Sequence, residues 1–508
     1  MYKKHGIAVC ITAFILVIYI QVLGFEFLNL DDPIHLGSNP HLNGQAPFLT
    51  LWKLPYKRLY IPLTYSIWGG LYQLTEAPWA FHLLNVLLHA LTSVCLVFPL
   101  IRRTYGKQAA IWGTLFFALH PLQVEAVAWV SGFKDVLSGT LLFLALWLFV
   151  EGSDNKKDLQ GSFLSASLFC ALLAALAKPA AVMFPLLAWV LSPRLSRKQA
   201  ATLALSVILA LPLALITSHA QAQQGFLFTP APLWQRPLVA LDALGFYLSK
   251  VFFPFGLVLD YGRTPASLFR DPSTVLFVAL SSVALALATV PSYALRPWRS
   301  GALFFSLALL PVLGLKPFVY QTTSTVSDRY AYAALFGMAL ALAPFFANPR
   351  RRFLVASCCV IVFLGTLTFL QTQRWKNNFT LFHYVVSKNP ASWLAYNNLA
   401  SAYETAGDLE NARHFYERSI KIHPHVPGFN SLGIVSIEMN KPREAVDWLR
   451  KGLAAGFEDA RLYNNLGTAW MQLGDAKRAE SAFLRALELE SMDITYQNLR
   501  RLRNENGG

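Results

Sequence analysis

The sequence predicts an all-α chain in two parts: a polytopic membrane domain of about eleven spans over residues 1–372, then a helical solenoid over 373–508. Three observations carry this. Of 508 residues, 55% are hydrophobic, and the mean hydropathy is +0.41. Only 14% are charged, against roughly 25% in globular chains. The apolar residues fill long runs up to about residue 372, and beyond it the chain becomes polar and repeats itself every 33 to 34 residues.

The net charge of +15 sits in short Lys/Arg clusters between apolar runs, the positive-inside pattern of a membrane protein and not a nucleic-acid groove. Cys10, Cys95, Cys170, Cys358 and Cys359 lie inside apolar runs without metal-ligand spacing, so they read as small hydrophobes.

Ile7 to Leu23 follows Met1-Tyr-Lys-Lys with no small-x-small cleavage site, so it reads as an uncleaved first span with a cytoplasmic N-terminus. Residues 24–78 form a first outer loop with an amphipathic or re-entrant piece at 60–67. Further spans are expected near 79–101, 108–120, 136–150, 162–178, 180–192, 199–218, 273–291, 301–315, 329–347 and 353–371, with a polar link at 154–158. Residues 246–259 are apolar but interrupted by Lys250 and Pro254. Leaving them outside the bilayer puts every basic cluster on the inner side. Asp31, Glu125, Asp135, Lys178, Asp328 and the solenoid then share the outer side.

Within the solenoid, Leu399-Ala-x-x-Tyr403, Leu432-Gly-x-x-Ser436 and Leu466-Gly-x-x-Trp470 recur. Each precedes a small residue (Ala412, Ala445, Ala479) and then a bulky one (Tyr416, Leu449, Phe483). This resembles the tetratricopeptide repeat, in which the small positions let paired helices approach. The second repeat departs from the pattern at Ser436, Gly452 and Phe457, and a capping helix is expected near 492–503. Such an array offers a concave surface to a peptide or protein.

Polar residues gather at the outer rim. Asp31-Asp32 follow the first span; His120 to Glu125 and Lys134-Asp135 flank the next rim loop; Lys178 and Asp328-Arg329 complete the set. Ionised side chains near a bilayer are costly and are kept where they act. Each also has a plain structural reading. Asp31 and Asp32 can cap a helix starting at Pro33, Lys134-Asp135 can pair locally, Lys178 can snorkel, and Arg329 can pair with Asp328 or Glu125. His82, Asn85 and His89 share one helical face and suit interhelical hydrogen bonds as well as a substrate pocket. Taken together, carboxylates and cations at one face suit sugar transfer from a lipid phosphate. A cation stabilises the phosphate's developing charge, and a carboxylate takes the acceptor's proton.

The block Phe116 to Ser138, Tyr60-x-Pro-Leu-Thr64, His82-x-x-Asn85-x-x-x-His89 and Ala177-Lys-Pro179 resemble the transmembrane and tetratricopeptide-repeat family. Its members are similar to protein O-mannosyltransferases of the multi-span C-type (GT-C) glycosyltransferase fold. The resemblance covers nearly the full length. It implies a polyprenyl- or dolichyl-phosphate sugar donor, a polypeptide hydroxyl acceptor and inversion at the anomeric carbon. It places the base on Asp31 supported by Asp32, with Glu125 and Asp135 orienting the acceptor or assisting. Lys178, Arg329 and Lys134 fall near the donor phosphate, and His82, Asn85, His89, His120 and Tyr60 in the substrate pocket. Two cations usual in the family are replaced here by Ile61 and Phe133. A divalent metal is left open. The expected protein is an enzyme of a bacterial inner membrane, with periplasmic repeats holding the acceptor and no nucleic-acid partner. Two rival readings remain: the same donor chemistry on a lipid or polysaccharide acceptor, and a catalytically silent scaffold. A transporter would need deep ionisable residues and internal symmetry, and neither is evident.

Overall fold

The computed structural model describes residues 2–153, 159–222, 230–290, 296–348 and 350–506; the polar link expected at 154–158 lies outside them. Among the described residues every extended element is helical, apart from one isolated antiparallel bridge between Tyr56 and Leu59. The chain divides into two compact units, Met1–Asn377 and Asn378–Gly508. The boundary falls just past the expected 372 because helix Arg351–Thr372 continues into a 3₁₀ turn, Gln373–Trp375. Trp375 there stacks on Trp129 with ring centroids 6.1 Å apart.

In the first unit six helical stretches are long and apolar enough to cross a membrane: Gly6–Gly24, Pro78–Ala118, Val130–Glu151, Gln160–Ala177, Arg197–Gln221 and Arg351–Trp375. Pro179–Leu191 and Ser273–Thr289 are shorter apolar helices. Pro78–Ala118 contains two of the expected spans. Gly106, at φ +83° and ψ 179°, breaks it into two arms, a conformation open to glycine at little cost. Of the other expected spans, 301–315 appears as the helix Arg296–Leu309, and 329–347 as the short helices Leu335–Ala341 and Ala343–Ala347. Length and apolarity alone therefore do not reach a count of eleven.

The interrupted stretch 246–259 is the end of a helix, Arg236–Phe252, followed by non-helical chain. That helix packs closely on Ser273–Thr289: a Cβ on Gly245 would lie 1.9 Å from the Phe277 carbonyl oxygen. Arg263 clamps the connection, bonding Asp242 at 2.5 Å, Asp271 at 2.6 Å and Ser273 at 2.9 Å. Its guanidinium lies 4.7 Å from the Phe277 ring centroid.

The second unit is three helix pairs: Trp393–Thr405 with Leu409–Ile422, Val426–Glu438 with Pro442–Ala454, and Ala460–Gln472 with Ala476–Leu489. Asn378–Lys388 precedes them, and Asp493–Asn506 follows where a capping helix was expected. The repeat shows in the backbone as well as the side chains. Gly407, Asn440 and Gly474, one per turn between paired helices, all have positive φ. The off-pattern second repeat folds like its neighbours, with Ser436 fully buried and Gly452 facing Phe429 and Leu462.

One helix crossing gives a direct test. Gly301 and Gly337 face each other so closely that a Cβ on either would lie 2.3 or 2.5 Å from the other's carbonyl oxygen. Gly337→Val is expected to destabilise the first unit by roughly 1–3 kcal/mol through overpacking. A lowered unfolding midpoint of the detergent-purified protein would report it.

Candidate active site

The first outer segment is built around Asp32. Its carboxylate caps no helix, as the plain structural reading would require. Instead it is 1% exposed and accepts hydrogen bonds from Leu28 N (2.9 Å), Ser131 N (3.0 Å) and Ser131 Oγ (2.5 Å). Asp32 thus pins residues 28–32 to the second rim loop. Its neighbour Asp31 stays open, with a side chain 41% exposed and one oxygen 3.5 Å from Lys134 Nζ.

The two carboxylates diverge electrostatically. Burial raises Asp32 to about 6 against its three hydrogen bonds, and the charge of Asp31 adds to the rise. Asp31 is pushed up by the surrounding protein, but Lys134, His35 and Arg329 outweigh this and hold it below the ordinary carboxylate value. Burial drives His35 down to about 4, so its imidazole is neutral, with Nδ1 2.9 Å from the Tyr65 hydroxyl.

The second rim loop is held by side chains the sequence had offered as pocket residues. Asn85 Nδ2 donates to Trp129 O (2.9 Å) and Val127 O (3.3 Å). His120 Nδ1 accepts from Leu122 N (3.2 Å), and its Nε2 lies 3.0 Å from Val251 O. His89 bridges the Tyr332 hydroxyl (3.1 Å) and Ala118 O (3.0 Å). His82 is 1% exposed, edge-on to Phe25, and Tyr60 donates to Trp52 O at 2.9 Å. All five are buried. Asn85 and His120 hold the loop that carries Ser131 to Asp32 and lets Lys134 Nζ donate to Ser131 O at 2.9 Å.

Two further carboxylates are paired inward. Glu125, 1% exposed, is bonded by the Arg329 guanidinium and by Ser327 Oγ at 2.7 Å. Asp135 pairs with Lys178 through Oδ1, and its buried Oδ2 has no partner among the described residues. Thr64 donates to Ala177 O at 2.9 Å, which ties the Tyr-x-Pro-Leu-Thr motif to the residue before Lys178. Aromatic faces join the cations. Trp129 lies 5.0 Å from Lys134 Nζ and 5.4 Å from Arg329, and Tyr330 lies 5.1 Å from Lys178 Nζ and 4.9 Å from Arg329.

Asp31, Glu125, Lys134, Asp135, Lys178 and Arg329 therefore form one acid–base cluster. Asp328 sits beside it; burial and then Glu125 push it well above the ordinary value, and Tyr261 donates to it at 2.7 Å. Ile61 and Phe133 are both 1% exposed in one apolar cluster with Tyr65 and Trp68. Ser131, Ser327 and Trp129 were not singled out from the sequence. Ser131 and Trp129 lie within the motif block, but only folding shows what they touch. Among the described residues no three metal-binding side chains meet.

The fold and site together define an all-helical membrane protein with a tetratricopeptide-repeat solenoid. Tetratricopeptide repeat family models match residues 394–425 and 431–491. The chain is similar in sequence to several proteins named protein O-mannosyl-transferase TMTC. It is 22% identical over 479 residues to mouse protein O-mannosyl-transferase TMTC3, covering 83% of this chain and 51% of that protein. It is 24% identical over 494 residues to Drosophila melanogaster protein O-mannosyl-transferase Tmtc3, covering 78% and 53%. Against human TMTC3 the identity is 32% over 147 residues, covering 26% and 16%. The chain spans about half the length of the first two relatives.

Two outcomes follow from the pairing. Folded Asp32 keeps its proton up to about pH 6, whereas an unfolded aspartate releases it near 3.8. Its contribution therefore favours the folded state at low pH and is lost as pH rises through 6. The gain in unfolding midpoint between pH 7.5 and pH 5 should be smaller in Asp32→Asn than in wild type, and an equal gain would contradict the assignment. Arg329→Gln strands the buried Glu125 charge and should cost about 3–5 kcal/mol. Adding Glu125→Gln should recover part of that loss in the same unfolding experiment.

Proposed function

We propose that the protein is an inverting C-type glycosyltransferase of a bacterial inner membrane, moving a hexose, mannose by analogy with the relatives' names, from a polyprenyl-phosphate carrier to Ser or Thr hydroxyls of a protein. The observation that supports this reading is Asp31. It is a partly exposed carboxylate whose ionised form Lys134 and Arg329 favour, while the neighbouring acids are pinned or paired inward.

In this reading Asp31 accepts the acceptor's hydroxyl proton as that oxygen attacks the anomeric carbon. The bond between that carbon and the phosphate oxygen breaks, and its electron pair leaves on the phosphate. Lys134, Lys178 and Arg329 stabilise the charge that develops there. Each cation keeps N–H donors beyond those its carboxylate partner uses, since an ammonium has three and a guanidinium five. A single displacement inverts the anomeric centre without a covalent enzyme intermediate. Glu125 holds Arg329, and Asp135 holds Lys178. The tetratricopeptide repeats would hold the acceptor protein, with the cluster on the outer side of the membrane.

The test is a glycoprotein profile of cells carrying wild type, a deletion or Asp31→Asn, at equal membrane levels. Asp31→Asn is expected to remove the same glycopeptides as the deletion, with transfer down at least about 100-fold, while the purified variant keeps its unfolding midpoint. If profiles match wild type in both strains, protein O-glycosylation is wrong, and lipid or polysaccharide products become the next assay.

A further inference from the structure

The opposite end of the same helices carries a second feature that the glycosyl-transfer reading does not use. Ile7, Ala8 and Ile11 of the first span face Val94 and Phe98 of one arm of Pro78–Ala118. Arg102 and Lys107, either side of the Gly106 break, complete a cleft of about 160 Å³. About 25 Å of helix separates Arg102 from Asn85, which touches the acid–base cluster's loop. That is close to the thickness of a bilayer's hydrocarbon core, ≈ 30 Å.

The cations here are not equivalent. Arg103 is spent on Glu151, at 3.0 Å. Arg102 and Lys107 are exposed and make no ion pair among the described residues, yet both line the cleft. An apolar wall with two unspent cations at the end of membrane-crossing helices matches a ligand with an acyl chain and an anionic head. Basic pockets between membrane helices bind such head groups.

We propose that this cleft is a binding site for an anionic glycerophospholipid. The phosphate sits between Arg102 and Lys107, the start of one acyl chain lies along Ile7, Ala8, Ile11, Val94 and Phe98, and the remainder stays in the bilayer. The site ties the first span to both arms of the helix that carries Asn85 and His89. It stands independently of the transferase reading, because it shares no residue with the acid–base cluster.

The experiment is native mass spectrometry of the full-length protein, delipidated in detergent and titrated with phosphatidylglycerol or phosphatidylcholine. Wild type is expected to hold one phosphatidylglycerol about tenfold more tightly than phosphatidylcholine. Arg102→Gln/Lys107→Gln should abolish that preference, and Ala8→Phe should weaken binding by filling the apolar part without changing charge. Arg103→Gln, which removes one positive charge outside the cleft, should leave the preference intact. Equal affinity for the two lipids, or a preference that survives both cleft substitutions, overturns the proposal. Displacement of phosphatidylglycerol by millimolar inorganic phosphate would also overturn it, by making the ligand a free phosphate.

Discussion

A charge at a membrane surface must be paired, hydrogen-bonded or left wet, because the low dielectric beside it makes an isolated buried ion prohibitive. That constraint organises the first unit around its cluster of carboxylates and cations. Glu125 is matched by Arg329 and Asp135 by Lys178, both carboxylates out of water. Asp32 is satisfied by two backbone amides and a serine hydroxyl. These pairings join segments far apart in the chain, so the rim's electrostatics and its tertiary path are one structure. Asp31 is the carboxylate left open to solvent, and Lys134 and Arg329 favour its charged form.

The aromatic residues have a matching role. Trp129 and Tyr330 each lie against two cations, giving those charges a polarisable face where water is scarce. Trp129 in turn stacks on Trp375, at the end of the last span of the unit. The cluster is therefore braced by the chain's first loop, its middle and the end of its membrane unit. Beside it, Ile61 and Phe133 close an apolar cluster with Tyr65 and Trp68.

Much of this was legible in advance. The helical class, the repeats and the grouping of Asp31, Glu125, Lys134, Asp135, Lys178 and Arg329 at one face follow from apolar run lengths, a 33- to 34-residue period and charge placement, all local or periodic signals. The different fates of adjacent Asp31 and Asp32 were not legible, because the difference comes from Ser131, ninety-nine positions away in sequence. The same holds for His82, Asn85 and His89. Their spacing marks a helical face, but whether that face meets a ligand or a neighbouring backbone is decided by packing.

The sequence by itself determined the helices, the repeat register and the set of charged residues available at the rim. These depend on residues within a turn or a repeat of one another. Only the tertiary structure decided which carboxylate is pinned, which are paired and which is open. It also decided that Gly301 and Gly337 must stay bare for two helices to cross. Those outcomes are long-range because pairing a charge or closing a crossing needs a partner from elsewhere in the chain.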